Sequence, residues 1–181
     1  MSQQRKSMRT IVVHVQDLPG VLNRVASLFR RRNFNIHSLN VSTTHEPGIS
    51  RMTILCEAND DVAARIEANL YKLVNVVKVD DITHEPAVER DLALIKVRAT
   101  PDQRAEILQL CGVFRARPID VGPTSLIVEI TGTQGKIDGL VQVLSPFGIE
   151  EMVQTGAVAM TRGAACPTVT QAIEDAKMHA A

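Results

Sequence analysis

The sequence predicts an α+β fold built from two similar domains in succession. Apolar residues switch repeatedly between the alternation typical of a strand and the three-to-four-residue spacing typical of a helix. The resulting order, strand–helix–strand–strand–helix–strand, occurs twice along the 181 residues. Pro86 interrupts both patterns between the two occurrences and marks a boundary. This βαββαβ order is that of a ferredoxin-like domain, in which two helices cover one face of a four-stranded antiparallel sheet.

The first predicted strand covers residues 8–16, because residues 10–15 form a short and nearly continuous apolar run. Successive side chains of a strand point to opposite faces of the sheet. The two sets are Ile11, Val13 and Val15 on one face, and Val12 and His14 on the other. Because both faces carry apolar residues, we expect a second sheet or a second subunit to cover the face that the helices leave open.

The turn after this strand is the first candidate binding feature. Pro19 fixes one backbone angle, and Gly20 permits unusual angles and the close approach of a ligand. The predicted helix over residues 21–32 directs its first amides and its positive dipole end to the same point. Asp17 adds a carboxylate, so the turn suits a ligand with an ammonium and a carboxylate group, which is an amino acid. In the alternative interpretation, Asp17 only caps the helix and Gly20 only turns the chain.

Three more strands and a second helix complete the first domain. Asn33 ends the first helix, a turn at residues 45–48 separates two strands, and Asn59 or Asp60 caps the second helix. The apolar stripe of that helix is Val62, Ile66, Leu70 and Leu73, and the strands cover residues 34–41, 50–57 and 74–82.

The second domain repeats this order with little sequence similarity to the first. Its predicted helices cover residues 102–114, opened by Pro101, and residues 134–144. Its predicted strands cover residues 92–97, 119–121, 125–131 and 149–160, the last with a bulge at Gly156. The predicted division is therefore a first domain over 8–84, a second over 89–163, and a tail over 164–181 that is a short helix or disordered.

Composition narrows the classes of function. Lys and Arg together number 20, as do Asp and Glu, and a net charge of zero argues against general binding to nucleic acid or to an anionic membrane. The chain has no apolar run of transmembrane length, and its polar start is not a secretory signal. The three cysteines form no CxxC pair, which fits a reducing cytoplasm, and Cys56 and Cys111 fall at core positions.

The chain lacks the residues that enzymes and RNA-binding domains of this fold require. An RNA-binding domain of this order needs aromatic residues on its central strands, and the strand at 50–57 has none. An acylphosphatase-like enzyme would need a basic residue after the first strand, where this chain has Asp17. No acid–base–nucleophile set and no metal-ligand spacing is present, so we expect neither catalytic nor metal-binding residues.

The turn and several other segments together resemble a known family. The hexapeptide DLPGVL, residues 17–22, resembles the ligand loop of an ACT domain, an amino-acid-binding regulatory module. The wider match is to the small regulatory subunit of acetolactate (acetohydroxyacid) synthase, and it covers about residues 8–163. The segments that carry it are NIHSLNV (35–41), SRMTI (50–54), KLVNV (72–76), ERDLALIKV (89–97) and TGTQGKID (131–138).

The resemblance implies a non-catalytic subunit of branched-chain amino acid biosynthesis. Such a subunit activates a catalytic subunit, which carries thiamine diphosphate, magnesium and FAD, and binds no cofactor itself. It confers feedback inhibition by a branched-chain amino acid, usually valine. The resemblance also implies a homodimer formed through ACT domains, with the effector where one loop meets the second strand of the mate. The implied effector residues are Asp17, Leu18, Pro19, Gly20, Val21 and Leu22 from one copy, and Asn35 and Ile36 from the other.

Two other interpretations compete with this one. A free-standing ACT-domain sensor would regulate another enzyme or transcription, but the zero net charge argues weakly against a DNA-binding face. An enzyme on a ferredoxin-like scaffold would need the catalytic set that is missing from the sequence.

Overall fold

The structure is a computed structural model that describes residues 6–163 of the chain. These residues form two compact units, one of residues 6–88 with 159–163 and one of residues 89–158. The helices are α1 (Val21–Arg31), α2 (Asp60–Leu70), α3 (Arg104–Phe114) and α4 (Gln134–Leu144). The strands are β1 (Ser7–Gln16), β2 (Ile36–Thr43), β3 (Ile49–Ala58), β4 (Val76–Asp81), β5 (Ala87–Arg98), β6 (Arg117–Val121), β7 (Ser125–Gly132), β8 (Ile149–Gln154) and β9 (Val158–Thr161).

The first unit is a four-stranded antiparallel sheet in the order β2-β3-β1-β4, with its core between the sheet and the two helices. From β1, the side chains of Ile11, Val13 and Val15 enter this core, as the alternation predicted. The helices contribute Val21, Val25, Leu28, Phe29, Ala63, Ile66 and Leu70. The predicted ferredoxin-like arrangement is confirmed.

The ends of the first two helices follow the predicted signals. After α1, Asn33 adopts a left-handed backbone with φ of 55°, and the amide of Phe34 donates to the carbonyl of Phe29 over 2.9 Å. At the start of α2, the side chain of Asn59 accepts from the amide of Val62 at 2.9 Å. Asn59 is therefore the cap, and Asp60 is the first residue of the helix.

The second unit repeats the arrangement with strand order β6-β7-β5-β8, and β9 pairs with β5 outside this order. Its core lies between the sheet and α3 and α4. The two largest differences from the prediction are the start of β5 and the division of the last predicted strand. Strand β5 begins at Ala87, directly after Pro86, rather than at residue 92. The predicted strand over 149–160 is two strands, because Gly156 has φ of 82° and turns the chain between them.

The residues after this turn return to the open face of the first sheet. Ala159 packs with Val12 and Ile82, and the guanidinium of Arg51 donates to its carbonyl. The amide of Arg162 donates to the carbonyl of Pro86 at 2.7 Å. Val12 is therefore covered by β9, a strand of the five-stranded sheet, in line with the first of the two expected covers, a second sheet or a second subunit. Its burial requires no second subunit.

The predicted division 8–84, 89–163 and 164–181 stays a prediction. The structure differs from it in grouping residues 159–163 with the first unit. The predicted tail lies outside the described residues. Within residues 6–163, no helix is long and apolar enough to cross a membrane.

Candidate functional site

The β1–α1 turn exposes a carboxylate beside the start of a helix. Gly20 is the N-cap residue of α1, with φ of 85° and ψ of −4°, and no side chain caps the helix. The interpretation that Asp17 caps the helix is therefore wrong. Asp17 is exposed, and within residues 6–163 its carboxylate accepts no hydrogen bond. The structure leaves it available to a ligand.

The first turn of α1 leaves two backbone amides available. The amide of Val21 donates to the carbonyl of Leu18 at 3.3 Å, and that of Arg24 donates to the carbonyl of Gly20 at 3.0 Å. Between them, the amides of Leu22 and Asn23 donate to no acceptor among the described residues. Free amides and the positive dipole end of a helix together favour an anionic group such as a carboxylate.

The turn is anchored on both sides by other parts of the first unit. The amide of Asp17 donates to the carbonyl of Gly48, in the β2–β3 turn, at 2.8 Å. The amide of Gln16 donates to the carbonyl of Asn75, just before β4, at 2.9 Å. The side chain of Asn75 also donates to Oε1 of Gln16 at 2.8 Å and accepts from Nη1 of Arg24 at 2.6 Å.

Gln16, Arg24 and Asn75 were not among the residues predicted from the sequence. Arg24 had a local signal, since it lies one helical turn after Gly20. Asn75 had none, because it reaches the turn from a position 51 residues away. The sequence identified the turn, but not the side chains that hold it.

The residues predicted to bind the effector differ in their exposure. The side chains of Leu18 and Leu22 are 53% and 44% exposed and lie next to the free amides. Val21 is only 4% exposed and belongs to the core, so it can offer a ligand its backbone but not its side chain. Asn35 is exposed, and Ile36 is half-buried.

The structure places Asn35 and Ile36 far from the turn of their own chain. In the sheet, Gln16 pairs with Ile49 of β3, whereas Ile36 pairs with Cys56 of the same strand. Positions 49 and 56 are seven residues apart, a distance of about 23 Å at ~3.3 Å per residue. One chain therefore does not bring the two predicted groups together.

Burial shifts the pKa values of His14, Cys56 and Cys111. Burial, with the positive charge of Arg51, lowers the pKa of His14 from 6.5 to about 4, so the ring is neutral at physiological pH. Burial raises the pKa of the Cys56 thiol to about 11 and also raises the pKa of Cys111. Both thiols are free and buried, which confirms them as core residues. Within residues 6–163, no group of three or more His, Cys, Asp or Glu side chains could hold a metal ion.

Two family models match the chain, one in each half. A model described as "AHAS small subunit-like ACT domain" matches residues 11–78. A second, described as "Small subunit of acetolactate synthase", matches residues 90–163. The first match contains the β1–α1 turn, Asn35, Ile36 and Asn75.

Individual relatives match over most of their length. A protein of Archaeoglobus fulgidus, described as a probable acetolactate synthase small subunit, is 49% identical over 154 residues, which are 85% of this chain and 96% of the relative. The acetolactate synthase small subunit of Mycobacterium bovis is 49% identical over 85% of this chain and 92% of its own. The crystal structure of the small subunit from Thermotoga maritima superposes with a TM-score of 0.81, at 42% identity, over 87% of this chain and 99% of that one.

Proposed function

The chain belongs to the acetolactate synthase small-subunit family, whose members are regulatory and non-catalytic, and we propose that its β1–α1 turn binds a branched-chain amino acid. As a small subunit, it associates with a catalytic large subunit. We propose that ligand binding at the turn inhibits that partner, while the unliganded chain activates it. Because the chain belongs to this family, we prefer this function to the two alternatives, a free-standing sensor and an enzyme.

The chemistry of the turn supports an amino acid as the ligand. The exposed carboxylate of Asp17 would accept from the ligand's ammonium group. The free amides of Leu22 and Asn23 would donate to its carboxylate, aided by the helix dipole. The exposed side chains of Leu18 and Leu22 offer apolar contact to a branched aliphatic side chain. Valine is our first candidate among the three branched-chain amino acids.

The position of Asn35 and Ile36 supports a homodimer in which each site uses both copies. β2 is an edge strand of the first sheet, and its two ends lie at opposite ends of β3. The Thr43 end, paired with Ser50, lies on the side of the turn, next to Gln16 paired with Ile49. A two-fold axis that pairs β2 with β2 of a mate would place the mate's Asn35 end beside that Thr43 end.

The remaining parts of the proposal follow from the family alone. Thiamine diphosphate, magnesium and FAD are expected on the catalytic partner, and no cofactor is expected on this chain. A cytoplasmic location belongs to the same expectation.

Reconstitution with the catalytic subunit tests the proposal. Acetolactate formation from pyruvate would be measured for the purified chain, for the catalytic subunit and for their mixture, with valine, leucine or isoleucine added. We expect no activity from this chain alone, a higher rate for the mixture than for the catalytic subunit, and inhibition of the mixture by one of the three. A mixture that is activated but insensitive to all three amino acids would contradict the proposed ligand.

A further inference from the structure

The side chain of Asn75 forms hydrogen bonds to both flanks of the β1–α1 turn. We propose that Asn75 is a positioning residue for the effector site: by holding Gln16 and Arg24 together, it fixes the turn in its binding-competent form. This inference rests on the proposed function and extends it to a residue outside the ligand-contacting group.

The side-chain amide of Asn75 uses both of its ends. Its Oδ1 accepts from Nη1 of Arg24 at 2.6 Å, and its Nδ2 donates to Oε1 of Gln16 at 2.8 Å. Since a guanidinium can only donate, the atom that faces Arg24 must be the oxygen, and this fixes the orientation of the amide. Asn75 is 9% exposed, so its side chain is held in place by these two bonds and by its buried surroundings.

The two partners of Asn75 stand directly before and after the free groups of the site. Gln16 is the last residue of β1, and Arg24 lies in the first turn of α1. Between them, the backbone of the turn reaches another element only through the bond from the Asp17 amide to Gly48, within the described residues. Beyond the core residues of β1 and α1, the bridge through Asn75 is therefore a direct side-chain link between the two flanks.

The segment that carries Asn75 is itself firmly held. The hydroxyl of Tyr71, which follows α2, accepts from the amide of Val79 at 3.1 Å and donates to its carbonyl at 3.2 Å. The amide of Val76 donates to the carbonyl of Leu73 at 3.0 Å. Asn75 thus links the turn to the well-held α2–β4 connection and restricts the motion of the turn before the ligand binds. This lowers the conformational entropy that is lost on ligand binding.

Three variants of the full-length chain test this role. Asn75→Leu removes both side-chain bonds and keeps the branched four-atom shape of the side chain. Asn75→Asp keeps the acceptor for Arg24 and, after rotation of the Gln16 amide, accepts from that side chain as well. Asn69→Leu is the matched control, because the side-chain amide of Asn69 donates within α2, to the carbonyl of Arg65 at 2.6 Å.

Two readouts separate positioning from general stability. Exchange of the hydrogen-bonded turn amides in the isolated chain, those of Asp17, Leu18, Val21 and Arg24, reports the order of the turn. Calorimetry with valine, leucine and isoleucine reports effector affinity. For Asn75→Leu we expect exchange of these amides to accelerate and the effector Kd to rise, each by about tenfold or more. Asn75→Asp should recover most of both losses, and Asn69→Leu should show neither.

The possible outcomes distinguish the positioning role of Asn75 from the proposed effector binding. A folded Asn75→Leu protein with unchanged exchange and unchanged Kd would overturn the positioning role, as would a failure of Asn75→Asp to recover either property. If the wild type binds none of the three amino acids, the proposed function fails, and the exchange measurement still decides whether Asn75 orders the turn. If Asn75→Leu does not fold, Arg24→Met and Gln16→Met remove the two bonds singly from exposed positions, and unchanged exchange in both would overturn the inference.

Discussion

At the scale of single residues, Gly20 determines whether the turn can exist in this form. Its φ of 85° lies in the left-handed region, where a side chain is strained. A Cβ at this position would meet no atom within 4 Å, so the protein itself leaves room for a side chain. The open space lies where we place the ligand, and glycine therefore serves both the backbone and the site.

Replacing Gly20 by aspartate should abolish effector binding. The added carboxylate would compete for the free amides of Leu22 and Asn23 and repel the carboxylate of the ligand. We expect the effector Kd to rise at least about tenfold, measured by calorimetry with circular dichroism as a folding control. The strain costs about 1–2 kcal/mol of stability.

Gly163→Asp is the matched control for that strain. Gly163 has φ of 83°, and a Cβ there would likewise meet no atom within 4 Å. Because the residue lies outside the proposed site, this variant should bind the effector as the wild type does. A folded Gly20→Asp protein that binds the effector with wild-type affinity would show that the turn has only a structural role.

Replacing Asp17 by asparagine should weaken only those ligands that carry an ammonium group. A charge-assisted hydrogen bond becomes a neutral one, so the Kd of valine should rise by about tenfold. Isovalerate, which has the same carbon skeleton without the amine, should bind equally weakly to both proteins. An equal loss for both ligands would show that Asp17 shapes the turn rather than contacting the ammonium.

His14 should make the stability of the folded chain fall in mild acid. Burial and the charge of Arg51 lower the pKa of His14 from 6.5 to about 4. Between these two pH values, His14 is protonated in the unfolded chain and neutral in the folded chain. Stability should therefore decrease as the pH falls from about 6.5 to about 4, by less than the ~3 kcal/mol of a fully shielded group, because the ring is partly exposed. Urea unfolding at several pH values should show a flatter profile for His14→Gln, with the exposed His37→Gln as comparison. An identical profile for His14→Gln and the wild type would contradict this cause.

At the scale of elements, the sequence predicted the order and most bounds of the strands and helices, because each helix carries a clear apolar stripe. It did not predict that β9 packs on the open face of the first sheet, since nothing local at Gly156 distinguishes a bulge from a break. The same return segment explains why Val12 is apolar. The turn was predictable from DLPGVL alone, whereas its anchors at Gly48 and Asn75 depend on tertiary contacts that no local pattern encodes.

The edge strand β2 should form the dimer contact of the first unit. Val41 lies on this strand and is 40% exposed. A lysine at an edge strand opposes pairing with another strand, so Val41→Lys should raise the dimer dissociation constant by about tenfold or more. Val121→Lys is the matched control, on the edge strand β6 of the second unit at 61% exposure. Sedimentation equilibrium that shows no change for Val41→Lys would exclude β2 as the interface.

At the scale of the whole molecule, regulation requires the ligand to favour one state of the complex with the catalytic subunit. A coupling of about 1–3 kcal/mol is typical and changes affinity by roughly 5–150-fold. The bonds proposed at the turn are of this size, at about 1.5–3 kcal/mol for each charge-assisted hydrogen bond. Loss of one such bond is therefore enough to remove inhibition, and the catalytic machinery of the partner need not change.

The central claim is that each effector site combines the turn of one copy with Asn35 of the other, and mixed dimers test it most directly. Gly20→Asp and Asn35→Ala should each abolish valine binding alone. Mixed together, they should restore one intact site in each mixed dimer, which calorimetry measures. The control mixture of Gly20→Asp with Asp17→Ala should bind valine no better than the two variants do separately, because every site then contains a substituted turn. Restored binding in the first mixture and not in the second is the predicted result; no restoration in either would contradict the shared site.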